Sequence, residues 1–321
     1  MIELEFFHII AGAVVLALPA ITLAVSHQVR KRSCKRRSSS KSSMLFNSKG
    51  KKCEMIAHKG AALDGPENTI GAIHKAASNG FDGVEIDIQL TSDKVAVLFH
   101  DDTVDRTTDG TGNVRDFTLQ QISQLNAAAK FDGTAVYAKR DWPNSETVPV
   151  LADAVDVAIS HDLFVFFDIK DTHQQTLKQL LDQFKRYPQL YSRSVICAFD
   201  FRFLYKVKRI DPNIAVVPIY SKFSCHALEG CSSLSFLLWL LPWTVVQICL
   251  YILFYYVNPL CLDHDVVSVD HRLISDGFLR WADQWRKEVV VWTVNDDQKK
   301  FEFIKHKRLS VITDSHSIRT N

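Results

Sequence analysis

Eight short apolar runs recur between residues 55 and 313, and candidate helices or irregular segments lie between most of them. Runs of this length are typical of buried parallel strands, and their alternation with helices favours an α/β architecture. Eight such units predict a (β/α)8 TIM barrel for residues 54–321. The runs are Met55–His58, Val84–Ile88, Phe164–Ile169, Val195–Phe199, Ile214–Ile219, Val266–Val269, Val289–Val294 and Val311–Thr313.

Two of the intervening segments carry helix signals. Asn68–Asn79 is predicted to be a helix that ends at Gly80, and Thr176–Tyr187 a helix that ends before a proline. Val95–Phe99 is then an additional strand beyond the eight. The interval that follows, residues 101–160, is rich in turn residues and is predicted to be an inserted subdomain.

An uncharged stretch precedes the barrel region. Residues 6–26, FFHIIAGAVVLALPAITLAVS, would span about 30 Å as a helix, which matches one hydrocarbon core. The acidic start of the chain differs from the basic n-region of a cleaved signal peptide, so residues 1–27 are predicted to be a retained membrane anchor. The basic linker 28–53 either contacts anionic lipid or is simply solvated, and its charge favours a cytoplasmic catalytic domain.

A second apolar stretch, residues 234–257, lies inside the barrel region. The strands on either side must close one barrel, so both ends of this stretch lie in one compartment, and its 24 residues cannot cross a bilayer twice as helices. The segment 221–260 is therefore predicted to be a membrane-associated insertion that dips into the interface near the catalytic face. An apolar layer packed on the barrel and a second transmembrane helix are the alternatives.

Composition narrows the classes of partner. The chain has 321 residues, 47% of them apolar, and a formal net charge of +2. Because the positive charge is concentrated between Arg30 and Lys52, the remainder is net acidic and nucleic acid is not an expected partner. The seven cysteines form no CxxC pair and no Cys/His spacing typical of zinc. Membrane lipid is an expected partner, and the sequence carries no signal for a protein partner.

The region Gly83–His100 concentrates the polar chemistry. Glu85 and Asp87 alternate with apolar residues, so both carboxylates project from one face of a strand. Buried acids at this spacing need a neutralising partner, and a hard divalent cation such as Mg²⁺ or Ca²⁺ is the natural one. The alternative is a surface hairpin with a solvated acidic face.

Further polar residues fall at the ends of the predicted strands, where TIM-barrel enzymes carry their sites. Carboxylates suit a metal ion, two histidines suit a general acid and a general base, and lysines suit an anionic substrate such as phosphate. Each residue also has a structural interpretation, for example an ion pair between Lys170 and Asp168. The strand-end residues are His58, Lys59, Glu85, Asp87, His100, Asp168 and Lys170.

Several motifs occur in an order that resembles the glycerophosphodiester phosphodiesterase family. They are H-x-G at His58, P-E-N-T at residues 66–69, E-x-D at Glu85 and H-D-x-x-x-x-R-T-T-x-G-x-G at His100. FFDIKD, VICAF, VVWTVN and VITD follow, and the resemblance covers residues 54 to about 220 and 264 to 314. The uncharged stretch and the apolar insertion resemble the membrane-bound animal branch of this family.

This resemblance implies a TIM barrel that hydrolyses glycerophosphodiesters to sn-glycerol 3-phosphate and an alcohol, with Mg²⁺ or Ca²⁺ as cofactor. Glu67 and Asn68 would shape the site. The residues that the resemblance places in the site are the acid–base pair His58 and His100, the metal ligands Glu85, Asp87 and Asp168, and the substrate contacts Lys59, Lys170 and Trp292.

The sequence departs from the family pattern at two positions. Most relatives have Arg where this chain has Lys59, and a lysine does not bind phosphate bidentately, so affinity or substrate choice is expected to differ. The third metal ligand is Glu in many bacterial relatives and Asp168 here.

The leading functional hypothesis is an integral-membrane phosphodiesterase, in the plasma membrane or an endomembrane of the secretory pathway. Its substrates would be glycerophosphodiesters such as glycerophosphoinositol or glycerophospho-N-acylethanolamine. The alternatives are a lysophospholipase D that acts on membrane lysophospholipids and a non-catalytic membrane adaptor. The side of the membrane stays open, because the basic linker favours the cytoplasm whereas the resembling branch is drawn with a lumenal or extracellular domain.

Overall fold

The computed structural model describes residues 45, 52–131, 142, 145–221, 262 and 264–316. Nine strands and eight α-helices lie in these ranges. The strands are β1 (Met55–Ala57), β2 (Gly83–Leu90), β3 (Ala96–Leu98), β4 (Phe164–Ile169), β5 (Ser194–Ala198), β6 (Val216–Tyr220), β7 (Val266–Asp270), β8 (Glu288–Trp292) and β9 (Ser310–Thr313). The helices are α1 (Ile70–Ser78), α2 (Leu119–Ile122), α3 (Leu151–Ser160), α4 (Gln174–Arg186), α5 (Leu190–Arg193), α6 (Phe201–Ile210), α7 (Asp276–Gln284) and α8 (Asp297–Phe301).

Eight of the strands close into a parallel barrel. Strand order around the sheet is β1-β9-β8-β7-β6-β5-β4-β2, and the pairing of β1 with β2 closes the circle. Strand β3 adds to β2 in the antiparallel direction, outside this circle. The predicted TIM barrel and the additional strand are therefore confirmed, with strand ends shifted by a few residues.

The barrel interior is filled by apolar side chains from every other strand position. This packing explains why the runs are apolar on both faces, since helices cover the outside of a parallel barrel while its inside is a core. One buried cluster joins residues from every barrel strand except β2, including Ile56, Phe164, Phe166, Val195, Val217, Val266, Val290 and Ile312.

The two predicted helices form at the expected places. At the start of α1, the Thr69 hydroxyl oxygen accepts a hydrogen bond of 3.1 Å from the Ala72 N–H. Beyond its end, Gly80 has a φ of +84°, a left-handed conformation that favours glycine. Helix α4 ends just before Pro188, because a proline disfavours helical geometry in the residue before it.

The segment between β3 and β4 has a small apolar core of its own. Val104, Val114 and Ile122 pack there with Val97 and Phe99, so the segment is anchored on β3. The last ten residues of the predicted insertion 101–160 form α3, which packs against α1, β3 and β4. These contacts and the small core attach the segment to the side of the barrel that β3 and β4 occupy.

Three predicted regions lie outside the described residues: the anchor at 1–27, most of the linker at 28–53, and the apolar stretch at 234–257. They stay predictions. None of the helices in the described part of the chain is both long enough and apolar enough to span a bilayer. All strands and helices named above belong to one compact unit, Ser43–Lys222 with His264–Asn321.

Candidate active site

Three carboxylates meet at the carboxyl ends of neighbouring strands. Glu85 and Asp87 point inward from β2, and sheet register places Asp168 of β4 directly opposite Asp87. All three residues are buried, and one oxygen from each lies within 4.8 Å of the others. The alternation in β2 and the register with β4 together produce this acidic cluster.

The acidic cluster is only partly neutralised by protein groups. The Lys170 ammonium donates a hydrogen bond of 2.7 Å to Asp168 Oδ2. Burial, together with the charge of Asp87, raises the pKa of Glu85 to about 8. Burial opposes ionisation of Asp87 too, but the nearby Lys170 holds its pKa below the usual range. Burial also raises the pKa of Asp168. Full ionisation of the cluster therefore requires more positive charge than one lysine provides.

Two buried oxygens of the cluster accept no hydrogen bond within the described part of the chain, namely Asp87 Oδ1 and Asp168 Oδ1. Asp87 Oδ1 is 3.1 Å from Lys170 Nζ, but this contact lacks the geometry of a hydrogen bond. Buried oxygens without a donor are costly, and a hard divalent cation satisfies them. The donor set of three carboxylates thus fits Mg²⁺ or Ca²⁺.

Loops after β1 hold two of the acids in place. The Lys59 N–H donates to Glu85 Oε2 at 2.7 Å, and Lys59 itself has a φ of +54° in a tight turn. Asn68 exchanges two hydrogen bonds with Asp87: its amide donates to Asp87 Oδ2 at 2.7 Å, and its oxygen accepts from the Asp87 N–H at 3.0 Å. Asn68 therefore holds the Asp87 side chain and backbone in place within the cluster.

His58 follows β1 directly and is paired with a distant carboxylate. Its Nδ1 lies 2.6 Å from Asp314 Oδ1, and Asn295 donates to the other oxygen of Asp314 at 2.6 Å. Burial disfavours the charged imidazole, but this hydrogen bond and the charge of Glu85 outweigh it and raise the pKa of His58. Sequence reasoning missed Asp314, which stands in the VITD piece without any local signal that it pairs with a histidine.

His100 is brought back to the acids by β3. Because β3 runs antiparallel to β2, the chain returns along that strand, and the Phe99 N–H donates to the Asp87 carbonyl at 3.0 Å. The Gln89 side-chain amide donates a hydrogen bond of 3.1 Å to the His100 carbonyl. His100 Nδ1 lies 2.6 Å from Asp101 Oδ1. The additional strand thus explains how a residue outside the barrel reaches the same site.

A cavity of about 200 Å³ opens beside these groups. Charged and polar side chains line it together with apolar ones, so it can hold a molecule with a charged part and an apolar part. Trp292 is one of the apolar lining residues, edge to face with Phe199 at 6.3 Å between ring centroids. The charged and polar lining residues are His58, Glu85, His100, Asp168, Lys170, Ser268 and Thr293, and the others are Phe166, Cys197, Phe199, Ile219, Trp292 and Ile312.

Six of the eight predicted site residues line this cavity. Asp87 does not, since it is fully buried behind Lys170 within the acidic cluster. Lys59 does not line it either, because its ammonium points to Glu67 Oε1 at 3.5 Å. The loop that carries Lys59 nevertheless contacts the cluster through the backbone.

The chain is similar in sequence and in fold to known proteins. The sequence profile of the glycerophosphoryl diester phosphodiesterase family matches residues 58–317. Glycerophosphodiester phosphodiesterase 1 of Bos taurus is 36% identical over 270 residues, which cover 81% of this chain and 77% of that protein. The protein of the same name in Homo sapiens is 36% identical over 275 residues, with the same coverage.

Solved structures share the fold at lower sequence identity. An Oleispira antarctica phosphodiesterase, solved in complex with the product sn-glycerol-3-phosphate, aligns with a TM-score of 0.62 and 21% identity over 81% of this chain and 92% of that one. The glycerophosphodiester phosphodiesterase of Thermotoga maritima aligns with a TM-score of 0.58 and 18% identity over 82% of this chain and 95% of that one.

Proposed function

Since this chain belongs to the glycerophosphoryl diester phosphodiesterase family, we propose that it hydrolyses glycerophosphodiesters to sn-glycerol 3-phosphate and an alcohol by acid–base catalysis. As an enzyme it is a glycerophosphodiester phosphodiesterase. The observation that carries the proposed mechanism is that two histidines, a lysine and two of the three clustered carboxylates line a single cavity.

Glu85, Asp87 and Asp168 would hold the divalent cation, Mg²⁺ or Ca²⁺. When bound, such an ion supplies positive charge that stabilises the negative charge developing on the phosphate oxygens. Lys170 lies against the same carboxylates and on the cavity wall, so its ammonium can contact the phosphate. Phosphate binding beside the acids would then place the scissile P–O bond between the two histidines.

His58 and His100 would divide the proton transfers. Each ring has its Nδ1 engaged with a carboxylate, Asp314 or Asp101, so Nε2 is the nitrogen available to the substrate. One histidine removes the proton from the attacking oxygen, which belongs to water or to a neighbouring glycerol hydroxyl. Attack by that hydroxyl would form a cyclic phosphate, which water then opens to sn-glycerol 3-phosphate. The other donates a proton to the departing alcohol oxygen as its bond to phosphorus breaks.

The apolar residues that line the cavity favour some substrates over others. Phe199, Ile219 and Trp292 form a surface that suits an aliphatic or amphiphilic leaving group better than a strongly hydrated one. Glycerophospho-N-acylethanolamines fit this description, as do lysophospholipids, which a lysophospholipase D would cleave at the same bond. A water-soluble glycerophosphoinositol would use the charged and polar lining residues alone.

An assay of purified full-length protein in detergent tests this proposal. Glycerophosphoinositol, glycerophospho-N-acylethanolamine and a lysophospholipid are compared, each with Mg²⁺, with Ca²⁺ and with a chelator. We expect metal-dependent release of sn-glycerol 3-phosphate from the glycerophosphodiesters. Faster cleavage of the lysophospholipid would favour the lysophospholipase D. No turnover of any substrate would leave the membrane adaptor as the better hypothesis.

Replacing Lys59 by Arg is expected to preserve the catalytic efficiency or to raise it. A guanidinium binds phosphate through two parallel hydrogen bonds, whereas an ammonium acts as a point charge. Comparison of kcat/KM for Lys59→Arg and Lys59→Met checks this, and the Met variant should show a raised KM. A clearly lower kcat/KM in Lys59→Arg would mean that the turn at residues 58–60 requires a lysine side chain.

We also propose that the enzyme is an integral membrane protein anchored through residues 1–27. Two observations support this: the uncharged length of residues 6–26 and the apolar insertion within 221–260. The side of the membrane can be determined with a glycosylation sequon placed between Asp101 and Ala158. Glycosylation in cells would indicate a lumenal or extracellular domain, and an unmodified protein would indicate a cytoplasmic one.

A further inference from the structure

Arg106 links two loops at the rim of the site through paired hydrogen bonds. Its Nη1 and Nη2 donate to the two oxygens of Glu67, at 2.8 and 2.7 Å. Its Nε and Nη2 also donate to the two oxygens of Asp101, at 2.5 and 3.1 Å. One guanidinium therefore joins the loop after β1 to the loop after β3, with a fork of hydrogen bonds on each side.

Both carboxylates that Arg106 binds have a second partner in the site. Asp101 Oδ1 is also 2.6 Å from His100 Nδ1, and Glu67 Oε1 is also 3.5 Å from Lys59 Nζ. The guanidinium itself is not on the cavity wall and is about half exposed. It thus acts on the site through its neighbours rather than by touching the substrate.

We infer that Arg106 is a positioning residue that orients His100 through Asp101 and restrains Lys59 through Glu67. This inference rests on the proposed role of His100 in proton transfer. A carboxylate fixed on both oxygens holds the imidazole ring at one angle, and proton transfer requires that the ring nitrogen stay within hydrogen-bonding reach of the substrate oxygen. Misplacement of a reacting group by about 1 Å lowers rates about 100-fold.

The charges around Arg106 support this arrangement. Burial opposes ionisation of Asp101, but the hydrogen bonds from Arg106 and His100 lower its pKa to about 2, so it is a carboxylate that accepts the His100 Nδ1 proton. Without Arg106, Glu67 would keep only the ammonium of Lys59 as a cationic partner among the described residues.

The experiment compares Arg106→Ala with Arg115→Ala in full-length protein. Arg115 is a suitable control because it lies in the same segment, is more exposed, and approaches Asp102 only to 3.9 Å. We expect Arg106→Ala to lower kcat about 100-fold with a much smaller change in KM. The control should keep the wild-type values. Added guanidinium ion should restore part of the lost kcat in Arg106→Ala only.

Two further variants separate positioning from a general loss of structure. Arg106→Lys keeps the positive charge but cannot form the paired hydrogen bonds to both carboxylates. Its kcat should therefore remain well below the wild-type value, while its melting temperature is unchanged. In an Asp101→Asn background, Arg106→Ala should lower kcat much less than it does in the wild type, because the link to His100 is already weakened.

An NMR measurement tests the inference independently of catalytic activity. The hydrogen bond to Asp101 shifts the NMR signal of the His100 Nδ1 proton downfield, and this signal should move in Arg106→Ala but not in Arg115→Ala. Unchanged kcat and an unmoved His100 signal in Arg106→Ala would overturn the inference. So would a raised KM and weakened binding of sn-glycerol 3-phosphate at normal kcat, which would make Arg106 a direct phosphate contact. An inactive wild type with a moved signal would contradict only the proposed function.

Discussion

Replacing His58 by Ala should reduce kcat about 10²- to 10⁴-fold, the range expected when a general acid or base is removed. The metal ligands and Lys170 are untouched by this change, so substrate binding should persist and KM should change little. His58→Asn keeps a donor for Asp314 and should be equally inactive, because an amide cannot transfer the proton. Steady-state kinetics on the preferred glycerophosphodiester measures both effects.

His161→Ala is a matched control for this prediction. His161 lies on the outside of the barrel and pairs only with His74, at 2.7 Å between ring nitrogens, within the described part of the chain. Its removal should leave kcat unchanged. If His58→Ala kept more than about a tenth of the wild-type kcat, acid–base catalysis by this residue would be excluded.

Replacing Glu85 by Gln should abolish tight binding of the divalent cation. Removal of a residue that only contacts a metal ligand typically lowers metal affinity 10- to 100-fold, and removal of the carboxylate ligand itself is expected to lower it further. Calorimetric titration of the purified variant with Mg²⁺ and with Ca²⁺ measures it. Glu302→Gln, at a half-exposed position on the outside of the barrel, is the matched control and should bind both ions normally.

The raised pKa of Glu85 also predicts how metal-free stability depends on pH. The folded state binds the Glu85 proton more tightly than the unfolded state, so this contribution to stability is fully present below the ordinary value of 4.5 and is lost as pH rises through about 8. Glu85→Gln cannot ionise, and the metal-free variant should therefore melt at a higher temperature than the wild type above pH 8.

The affinity for the divalent cation should also depend on the ionisation of Glu85, but it should increase with pH whereas the contribution to stability decreases. The cation needs the ionised carboxylate, so the affinity of the wild type should rise as pH rises towards 8, with release of a proton on binding. Thermal melts and titrations on both sides of pH 8 test the pair of predictions. A wild-type affinity that does not depend on pH would show that Glu85 is already ionised in the metal-free protein.

The parts of the fold that depend on local patterns could be predicted from the sequence. Alternation of apolar residues and acids in β2 is a property of a few adjacent residues, and it correctly put Glu85 and Asp87 on one face. The extent of β2 was harder to predict. Its eight residues exceed the predicted five because Gly83 pairs with β1 and β4 at its start, and Gln89 and Leu90 pair with β3 at its end.

Contacts between distant segments could not be predicted in this way. Asp314, which pairs with His58, directly follows Thr313, the last residue of β9, and an aspartate at a strand end has many possible roles. Arg106 is part of the motif that begins at His100, but its paired hydrogen bonds to Glu67 and Asp101 depend on how two loops approach each other in the folded protein. Only the closed barrel brings these groups together.

The hydrogen bond between His58 and Asp314 joins residues that are 256 positions apart in the chain. It forms between the ends of β1 and β9, which are neighbours only because the barrel is closed. A chain still being synthesised would already carry both histidines and all three clustered acids, yet its first histidine would lack its carboxylate. Full turnover should therefore require the last strand of the barrel, although every predicted site residue precedes it in the chain.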